Sequence, residues 1–268
     1  MMWTPDLVLA AAAEWLWLPE GAEMEQTDHR IVCYPAWSGM GVVADSVDSD
    51  HAADDVIDRV VDRVRAWGRP TVGIWVNGTE RPTDFEDALK RRGAVHEDVT
   101  DVLALPLDVL PDLGCRQAGV EVMRVDAMAT RRGVDEVDVR VWGQEPLTAE
   151  RLEAEAAVLR SDWESRTGFR VLATLDGRPA STGGVTIAGP PSGGPGAVAR
   201  LWGGATVPEA RHRGAYRAQL FERLRIARDL GASVALVKGR AETSAPILAR
   251  AGFQRFGSER LYRITADA

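Results

Sequence analysis

The stretch Val207-Pro208-Glu209-Ala210-Arg211-His212-Arg213-Gly214-Ala215-Tyr216-Arg217 joins an apolar run, residues 201–207, to an amphipathic pattern over residues 217–230. The run predicts a strand and the pattern predicts a helix. The basic turn therefore lies where the first amides of a helix have no intrahelical acceptor. These amides, the helix dipole and three arginines all favour an anion. The stretch predicts a phosphate site, and a solvated arginine cluster at a helix start is the alternative.

The second half of the chain has a regular order of predicted elements around this turn. It runs strand, helix, three antiparallel strands, the turn, helix, strand, helix and strand. The predicted strands are 120–125, 169–175, 180–188, 197–207, 233–237 and one that ends at 264, and the predicted helices are 147–159, 217–230 and 244–252. This alternation is typical of a domain that mixes helices and strands.

The first half repeats the order of helix, strand, helix and strand. These elements are predicted at 54–67, 71–76, 83–92 and 99–105. Thr83 and Glu86 form a predicted capping box. The glycines that end the helices recur at offsets of 163 and 159 residues, which indicates an internal duplication; chance recurrence of common α/β order is the alternative. A Pro/Gly linker at 106–119 then gives two predicted domains, 1–119 and 120–268.

The second half resembles the GNAT superfamily of acyl-CoA-dependent N-acyltransferases. The basic turn is similar to the superfamily's R/Q-x-x-G-x-G/A pyrophosphate loop, and Ser244-Ala245-Pro246-Ile247-Leu248-Ala249-Arg250-Ala251-Gly252-Phe253 is similar to its closing helix. The resemblance covers residues 121–264 well and 1–119 faintly, because 47–51 is acidic where a phosphate loop would lie. It implies the fold class α/β (α+β), with two GNAT-like domains, each a mixed, mostly antiparallel sheet flanked by helices. The resemblance also implies that the N-terminal domain is degenerate and that the C-terminal domain holds the cofactor site.

The resemblance implies acetyl-CoA as the cofactor and assigns the residues that bind it. Backbone groups of Ala205, Thr206 and Val207 would lie along the pantetheine arm and the acyl carbonyl. The remaining cofactor residues would be Arg211, His212, Arg213, Gly214, Ala215, Tyr216 and Arg217 around the pyrophosphate, with Ser244 in addition. Tyr216 stands where the motif has Gly or Ala. We therefore expect its ring to point outward and its amide alone to face the phosphate.

The residues that move protons differ from the superfamily pattern. Its tyrosine acid falls on Leu248, which cannot donate a proton. Ser244 and Tyr216 are the candidate catalytic acids, with Thr243 as a further donor. A plain helix cap is the alternative interpretation of Ser244. Residues 200–204 contain no carboxylate that would act as a base on the cofactor strand.

Three residues are candidates for the acceptor side. Asp162 and Glu164 are candidate bases, with a solvated helix end as the alternative. Trp202, on the predicted cofactor strand, offers an aromatic face to an amine; core packing is the alternative, as it is for Trp142 and Trp163. The four histidines and two cysteines show no ligand spacing, so no metal site is predicted.

Composition limits the partners. Residues 1–120 carry 22 acidic and 10 basic side chains, a net charge of −12, and residues 121–268 carry a net +4. The acidic half is unsuited to nucleic acid. No apolar run approaches the ~20 residues that span a bilayer, so no membrane partner is expected. The first residues predict a helix rather than a targeting segment, and the unpaired Cys33 and Cys115 suit a reducing cytoplasm.

The leading hypothesis is an acetyl-CoA-dependent N-acetyltransferase that acts on an amine of a small molecule or peptide, as a monomer or homodimer. A non-catalytic acyl-CoA-binding protein is an alternative, because the tyrosine acid and the strand carboxylate are missing. An aminoacyl-tRNA-dependent transferase is another, because tandem GNAT-like folds occur in that class; the acidic charge and the retained phosphate turn count against it.

Overall fold

Periodic apolar residues form regular elements in the structure, a computed structural model that describes residues 2–113 and 118–266. The helices are α1 (Pro5–Ala13), α2 (Ala53–Ala66), α3 (Phe85–Arg91), α4 (Met128–Trp142), α5 (Ala149–Glu164), α6 (Ala215–Asp229) and α7 (Ser244–Arg250). The strands are β1 (Glu23–Gln26), β2 (Arg30–Cys33), β3 (Val42–Asp45), β4 (Thr71–Val76), β5 (Val95–Pro106), β6 (Val120–Arg124), β7 (Gly168–Leu175), β8 (Arg178–Ala188), β9 (Ala197–Thr206), β10 (Ala232–Arg240) and β11 (Gln254–Thr265). The predicted fold class, α/β with mixed and mostly antiparallel pairing, is confirmed.

Helix α2 shows how the apolar pattern sets local structure. Its buried stripe consists of Val56, Ile57, Val60, Val61 and Val64. Each fully buried aliphatic side chain contributes about 1.5–3 kcal/mol. The stripe packs against β4 in one hydrophobic cluster. Gly68 follows the helix with φ 65°, a left-handed conformation that ends it as predicted.

Contacts divide the chain into two compact units. The first unit comprises the described parts of 1–12, 103–238 and 247–255, and the second comprises 13–102, 239–246 and 256–266. The strand order in the first unit is β5-β10-β9-β8-β7-β6, and in the second it is β1-β2-β3-β4-β11-β5. Strand β5 contributes its last residues to the first unit and its earlier residues to the second.

The units differ from the predicted domains in their terminal segments. Helix α1 belongs mainly to the first unit, where the indole of Trp3 donates a hydrogen bond to Ser233 at 2.9 Å. Strand β11 pairs with β4 in the second unit, in antiparallel register. A strand pairs with the sheet edge that its backbone and side chains fit. Its position along the chain therefore does not decide which unit it belongs to. As a statement about duplicated sequence, the 119/120 boundary stays a prediction.

The second half contains a helix that its sequence pattern does not predict. One helix is predicted between the first two strands of this half, whereas the structure has two, α4 and α5. The buried face of α4 includes Arg131, Asp135 and Asp138 beside Val134 and Val137. These charges interrupt the apolar periodicity, which is the physical reason that the prediction is wrong here.

The capping box predicted for Thr83 and Glu86 is wrong. Helix α3 has Asp84 at its N-cap, and no side chain caps it. Glu86 instead accepts two hydrogen bonds from Arg260, at 2.9 and 2.7 Å, and one from the Tyr262 hydroxyl at 2.7 Å. A carboxylate binds a charged bidentate donor more strongly than a neutral backbone amide. The Glu86 side chain therefore binds Arg260 of β11 and does not cap α3.

We expect Glu86→Gln to destabilise the second unit in a pH-dependent way. The hydrogen bond from Arg260 is the main cause that lowers the pKa of Glu86 from 4.5 to about 2. The stabilisation is therefore complete above pH 4.5 and is lost as the pH falls toward 2. Unfolding in urea at neutral pH should show a loss of about 2–3 kcal/mol.

The control for this variant is Asp87→Asn, since Asp87 is exposed and its carboxylate pairs with no described residue other than Lys90, at 3.4 Å. It should change the free energy of unfolding by less than about 0.5 kcal/mol. The gap between wild type and Glu86→Gln should narrow by more than about 1 kcal/mol at pH 3.5. A gap that is equal at both pH values would contradict the ion pair as its origin.

Two features bear on the sequence expectations about cysteine and membranes. Cys33 is a buried free thiol, whereas Cys115, within the predicted 106–119 linker, lies outside the described residues. None of the helices within 2–113 and 118–266 is long and apolar enough to cross a bilayer.

Candidate functional site

Strands β9 and β10 of the first unit run in parallel and then part. Their register pairs Ala197 with Ala232 and ends where Arg200 pairs with Leu236. Within the described residues, no pair joins the rest of β9 to β10. The segment 201–206 therefore presents one backbone edge to a gap, while its other edge pairs with β8. An unpaired backbone edge within a sheet offers donors and acceptors to an extended ligand.

The predicted cofactor residues Ala205, Thr206 and Val207 lie at the end of this parted segment. The Val207 amide already donates to the Ala180 carbonyl at 2.9 Å, and the Ala205 carbonyl accepts from the Ser181 hydroxyl at 2.6 Å. Because the backbone groups of successive strand residues point to opposite edges, those of Thr206 face the gap. Of the three, Thr206 is the residue whose backbone is placed to contact a ligand there.

The basic turn connects β9 to α6 as the sequence predicts. A 3-10 turn at Pro208–Ala210 precedes it, and Gly214 is the N-cap of α6 with φ 84° and ψ −10°. His212 also has a positive φ, 61°. In the part of the chain that the structure describes, the amides of Ala215 and Arg217 have no hydrogen-bond acceptor. The helix N-terminus thus presents free donors at the turn.

The arginines of the turn differ in their partners. The side chains of Arg211 and Arg217 are exposed and make no ion pair or hydrogen bond with any described residue, although the Arg211 amide donates to the Pro208 carbonyl at 3.2 Å. Arg213 pairs with Asp176 at 3.1 Å, and both side chains are exposed. Glu209, just before the turn, forms a close ion pair with Arg140 at the end of α4. Among the described residues, the guanidinium groups of Arg211 and Arg217 are therefore free to bind an anion at the start of α6.

The ring of Tyr216 does not point outward, so that expectation is wrong. Its hydroxyl lies 3.9 Å from the ideal position of a Cβ on Gly204, a β9 residue. It also lies beside the guanidinium of Arg223, two turns further along α6. Burial raises the pKa of the Tyr216 phenol, and the positive charge of Arg223 only partly opposes this. Glycine at 204 leaves the space that the ring fills.

Polar side chains of α6 next to Tyr216 are buried. Gln219 is fully buried, and neither its amide nitrogen nor its amide oxygen has a hydrogen-bond partner among the described residues. Arg223 is 2% exposed, and burial lowers its pKa to about 10. Neither residue is a sequence-predicted site residue. In sequence, Gln219 and Arg223 look like the polar surface residues of an amphipathic helix. They are buried because other elements of the fold pack over them.

The acceptor-side candidates Trp202 and Asp162 each adjoin one member of the Thr186–Gly168 pair of β7 and β8. The Trp202 indole donates to the Thr186 hydroxyl at 3.0 Å, and Thr186 pairs with Gly168 in the β7–β8 register. The Cβ of Asp162 lies 3.8 Å from the ideal Cβ position on Gly168. Trp202 remains 37% exposed. Glu164, the last residue of α5, is exposed. Among the described residues its side chain makes no hydrogen bond with Trp202 or Asp162.

The two other tryptophans considered for the acceptor side differ in environment. The guanidinium of Arg124 lies 3.9 Å from the ring centroid of Trp163, which also meets Phe169 edge-on at 6.3 Å. Trp163 thus has ring contacts that account for it by packing. Trp142 ends α4 and is 51% exposed.

The second candidate acid, Ser244, begins α7, and Leu248 follows one turn later. Ser244 falls in the second unit, whereas Leu248 and the basic turn fall in the first. Leu248 is 2% exposed and forms part of the hydrophobic interior. Its position is therefore filled by packing and supplies no proton. A role for Ser244 in catalysis or cofactor binding stays a prediction.

A buried ion pair on the α4 side of β7 is absent from the sequence predictions. Arg170 donates to both carboxylate oxygens of Asp138 at 2.9 Å and to the Thr182 hydroxyl at 3.2 Å. Its guanidinium lies 5.6 Å from the ring centroid of Trp202. Burial raises the pKa of Asp138 and lowers that of Arg170 despite their mutual attraction. The pair supports the strand that faces Trp202.

The corresponding approach to α2 in the second unit lacks these features. Arg81 pairs with Asp48 at 2.7 Å and with Asp50 at 3.5 Å. Ser49 donates to Asp28 in a close contact, and Arg59 donates to the same carboxylate at 2.6 Å. The acidic segment is bound to its own unit's arginines and repels a phosphate, and the degenerate repeat stays a prediction.

Solved structures of GCN5-related N-acetyltransferases share this fold. One from Kribbella flavida has a TM-score of 0.65 at 15% identity, covering 90% of this chain and 88% of that chain. One from Sphaerobacter thermophilus has a TM-score of 0.66 at 17% identity, covering 96% and 84%. A tandem GNAT protein from the clavulanic acid biosynthesis pathway has a TM-score of 0.61 at 13% identity, covering 97% and 88%. No protein-family model and no curated protein matches the chain.

The resemblance inferred from two motifs is confirmed at the level of fold. The chain has the fold of the GCN5-related N-acetyltransferases over nearly its whole length, and one of the matched structures is a tandem protein.

Proposed function

We propose that this chain, with the GCN5-related N-acetyltransferase fold, is an acetyl-CoA-dependent N-acetyltransferase whose acceptor is an amine of a small molecule or peptide. The observation that carries the proposal is the parting of β9 and β10 after Arg200, directly before the basic turn. An extended backbone edge and an anion site in sequence match a ligand with a long amide-containing arm and a pyrophosphate. We also propose that it acts in the cytoplasm as a monomer or homodimer.

The described residues fit this cofactor. The backbone of Thr206 faces the gap, and the free amides at the start of α6 suit the pyrophosphate. The side chains of Arg211 and Arg217 have no partner within residues 2–113 and 118–266. Acetyl-CoA would supply an activated thioester whose acetyl group passes to the amine. The chain would hold this arm along β9 and bind its phosphates at the turn. Trp202 and Asp162 would then face the acceptor.

Calorimetric titration with acetyl-CoA tests the proposal, followed by a thiol assay for CoA release with a panel of amines. Binding at micromolar concentration with amine-dependent release would support it. Binding without release from any amine would favour the acyl-CoA-binding alternative. An absence of binding would contradict both.

We expect Tyr216→Phe to lower turnover by about 100-fold, because a positioned general acid contributes about 10²–10⁴ in rate. Tyr216, the candidate acid, lies beside Gly204 of β9, and burial raises the pKa of its phenol further above neutral pH. Phenylalanine keeps the ring that packs on Gly204, so acetyl-CoA affinity should change less than about twofold. The measurement is steady-state kinetics together with calorimetry.

Ser244→Ala is the matched comparison for this variant, since it removes the hydroxyl of the other candidate acid. It should leave turnover within about twofold of wild type. The reverse result, a large loss for Ser244→Ala and none for Tyr216→Phe, would assign the acid to Ser244.

A further inference from the structure

Two glycine pairs lie opposite each other in neighbouring strands, Gly183-Gly184 in β8 and Gly203-Gly204 in β9. Glycine weakens a strand interior, so four of them at one place call for a local cause. A Cβ on Gly183 would lie 2.6 Å from Cζ of Arg223, and one on Gly204 would lie 3.6 Å from its Nη2. The two glycines that face α6 therefore make room for the guanidinium of Arg223.

The guanidinium of Arg223 joins β8 and β9 where their ladder is irregular. Its Nη1 donates to the carbonyls of Gly184 at 3.4 Å and of Trp202 at 3.5 Å. Gly184 and Trp202 are register partners, and the register shifts between this pair and the next, Thr182 with Ala205. The extra β9 residue lies at Gly203, which has φ 59°. The arginine thus contacts both strands at the edge of a β-bulge.

Arg223 carries a buried charge that fold stability alone does not explain. Within the described residues it makes no ion pair with a carboxylate, and its Nε has no partner. An arginine buried without an anion destabilises a protein relative to an apolar side chain of similar length. Retaining it at a bulge beside the candidate site points to a role in that site.

We propose that Arg223 is a positioning residue that holds the backbone of β9 at residues 202–204 and places a permanent positive charge behind it. This rests on the proposed function, under which that segment lies along the acyl end of acetyl-CoA. The charge is fixed because the side chain is bound by two carbonyls and enclosed by Gly183 and Gly204. A bulge held in this way keeps its geometry before the ligand arrives, which reduces the ordering required on binding.

The test uses Arg223→Met, which keeps the length and removes the donors, and Arg223→Lys, which keeps the charge. Hydrogen–deuterium exchange of the full chain without acetyl-CoA should be about 10-fold faster at residues 202–206 in Arg223→Met, with α6 and β7 unchanged. Acetyl-CoA affinity by calorimetry should fall by about 10–100-fold, the equivalent of one hydrogen bond to a charged group. Arg223→Lys should recover part of both effects.

Arg225→Met is the matched control, because Arg225 is on the same helix and, among the described residues, forms ion pairs with Glu222 and Asp229 of that helix alone. It changes the net charge equally and should leave exchange at 202–206 and affinity within about twofold of wild type. Wild-type exchange and affinity in Arg223→Met would overturn the proposal, as would faster exchange throughout the first unit. If wild type itself does not bind acetyl-CoA, the proposed function fails, and the exchange measurement still decides whether Arg223 holds the bulge.

Discussion

Arg211→Ala combined with Arg217→Ala is expected to weaken acetyl-CoA binding by about 10²–10⁴-fold. Each arginine would make a hydrogen bond to a phosphate, and such bonds contribute about 1.5–3 kcal/mol. Both side chains are exposed and lack partners among the described residues, so neither has to break an ion pair to bind. The measurement is calorimetric titration at low and at physiological salt, and the loss should be smaller at the higher salt.

Two further variants define what this result means. Arg225→Ala with Arg228→Ala removes the same charge from the other end of α6 and should change affinity by less than about threefold. Arg213→Ala alone should cost less than Arg211→Ala, because Arg213 must first release Asp176. Equal affinity in wild type and the Arg211, Arg217 double variant would remove the turn from the site.

Asp138→Ala is expected to lower the free energy of unfolding by about 3–5 kcal/mol, since it leaves the charge of Arg170 buried without a carboxylate. Asp138 is 5% exposed and accepts both hydrogen bonds from Arg170 at 2.9 Å. Urea unfolding at neutral pH measures the loss. Glu136→Ala, on the exposed side of the same helix, should change stability by less than about 0.5 kcal/mol.

Replacing both Asp138 and Arg170 by apolar residues distinguishes the effect of their charges on stability from the effect of side-chain packing. Burial raises the pKa of Asp138 and lowers that of Arg170, so desolvation outweighs their attraction. Asp138→Leu with Arg170→Met should therefore recover most of the loss, because no charge is left buried. A double variant no more stable than Asp138→Ala would show that the pair acts through interactions other than charge compensation.

Local sequence signals predicted most elements of this fold. The stripe on α2 and the glycine after it are local features, because a helix face and a left-handed cap depend on residues within one or two turns. Helix α4 was missed because Arg131, Asp135 and Asp138 occupy its buried face. Their burial is possible only with partners from other elements, Glu155 for Arg131 and Arg170 for Asp138. No pattern within α4 reports those partners.

The same division applies to the candidate site. Its turn residues from Arg211 to Arg217 were predicted, because charge, glycine and helix start are contiguous in sequence. Tyr216 was expected to point outward, and it points inward because Gly204 leaves space for its ring. Arg223 was not identified at all. The double glycines of β8 and β9 were the available signal, yet only the tertiary structure shows that one glycine of each pair, Gly183 and Gly204, faces the Arg223 guanidinium.

By itself the sequence determined the basic turn, its place between a strand and a helix, and the resemblance of that order to one acyltransferase fold. These features depend on neighbours along the chain. The tertiary structure alone decided where β9 parts from β10, which way Tyr216 points, and which charges are buried with partners. Those features depend on residues distant in sequence, because the space, partners and solvent exclusion that set them arise only when separate strands and helices pack together.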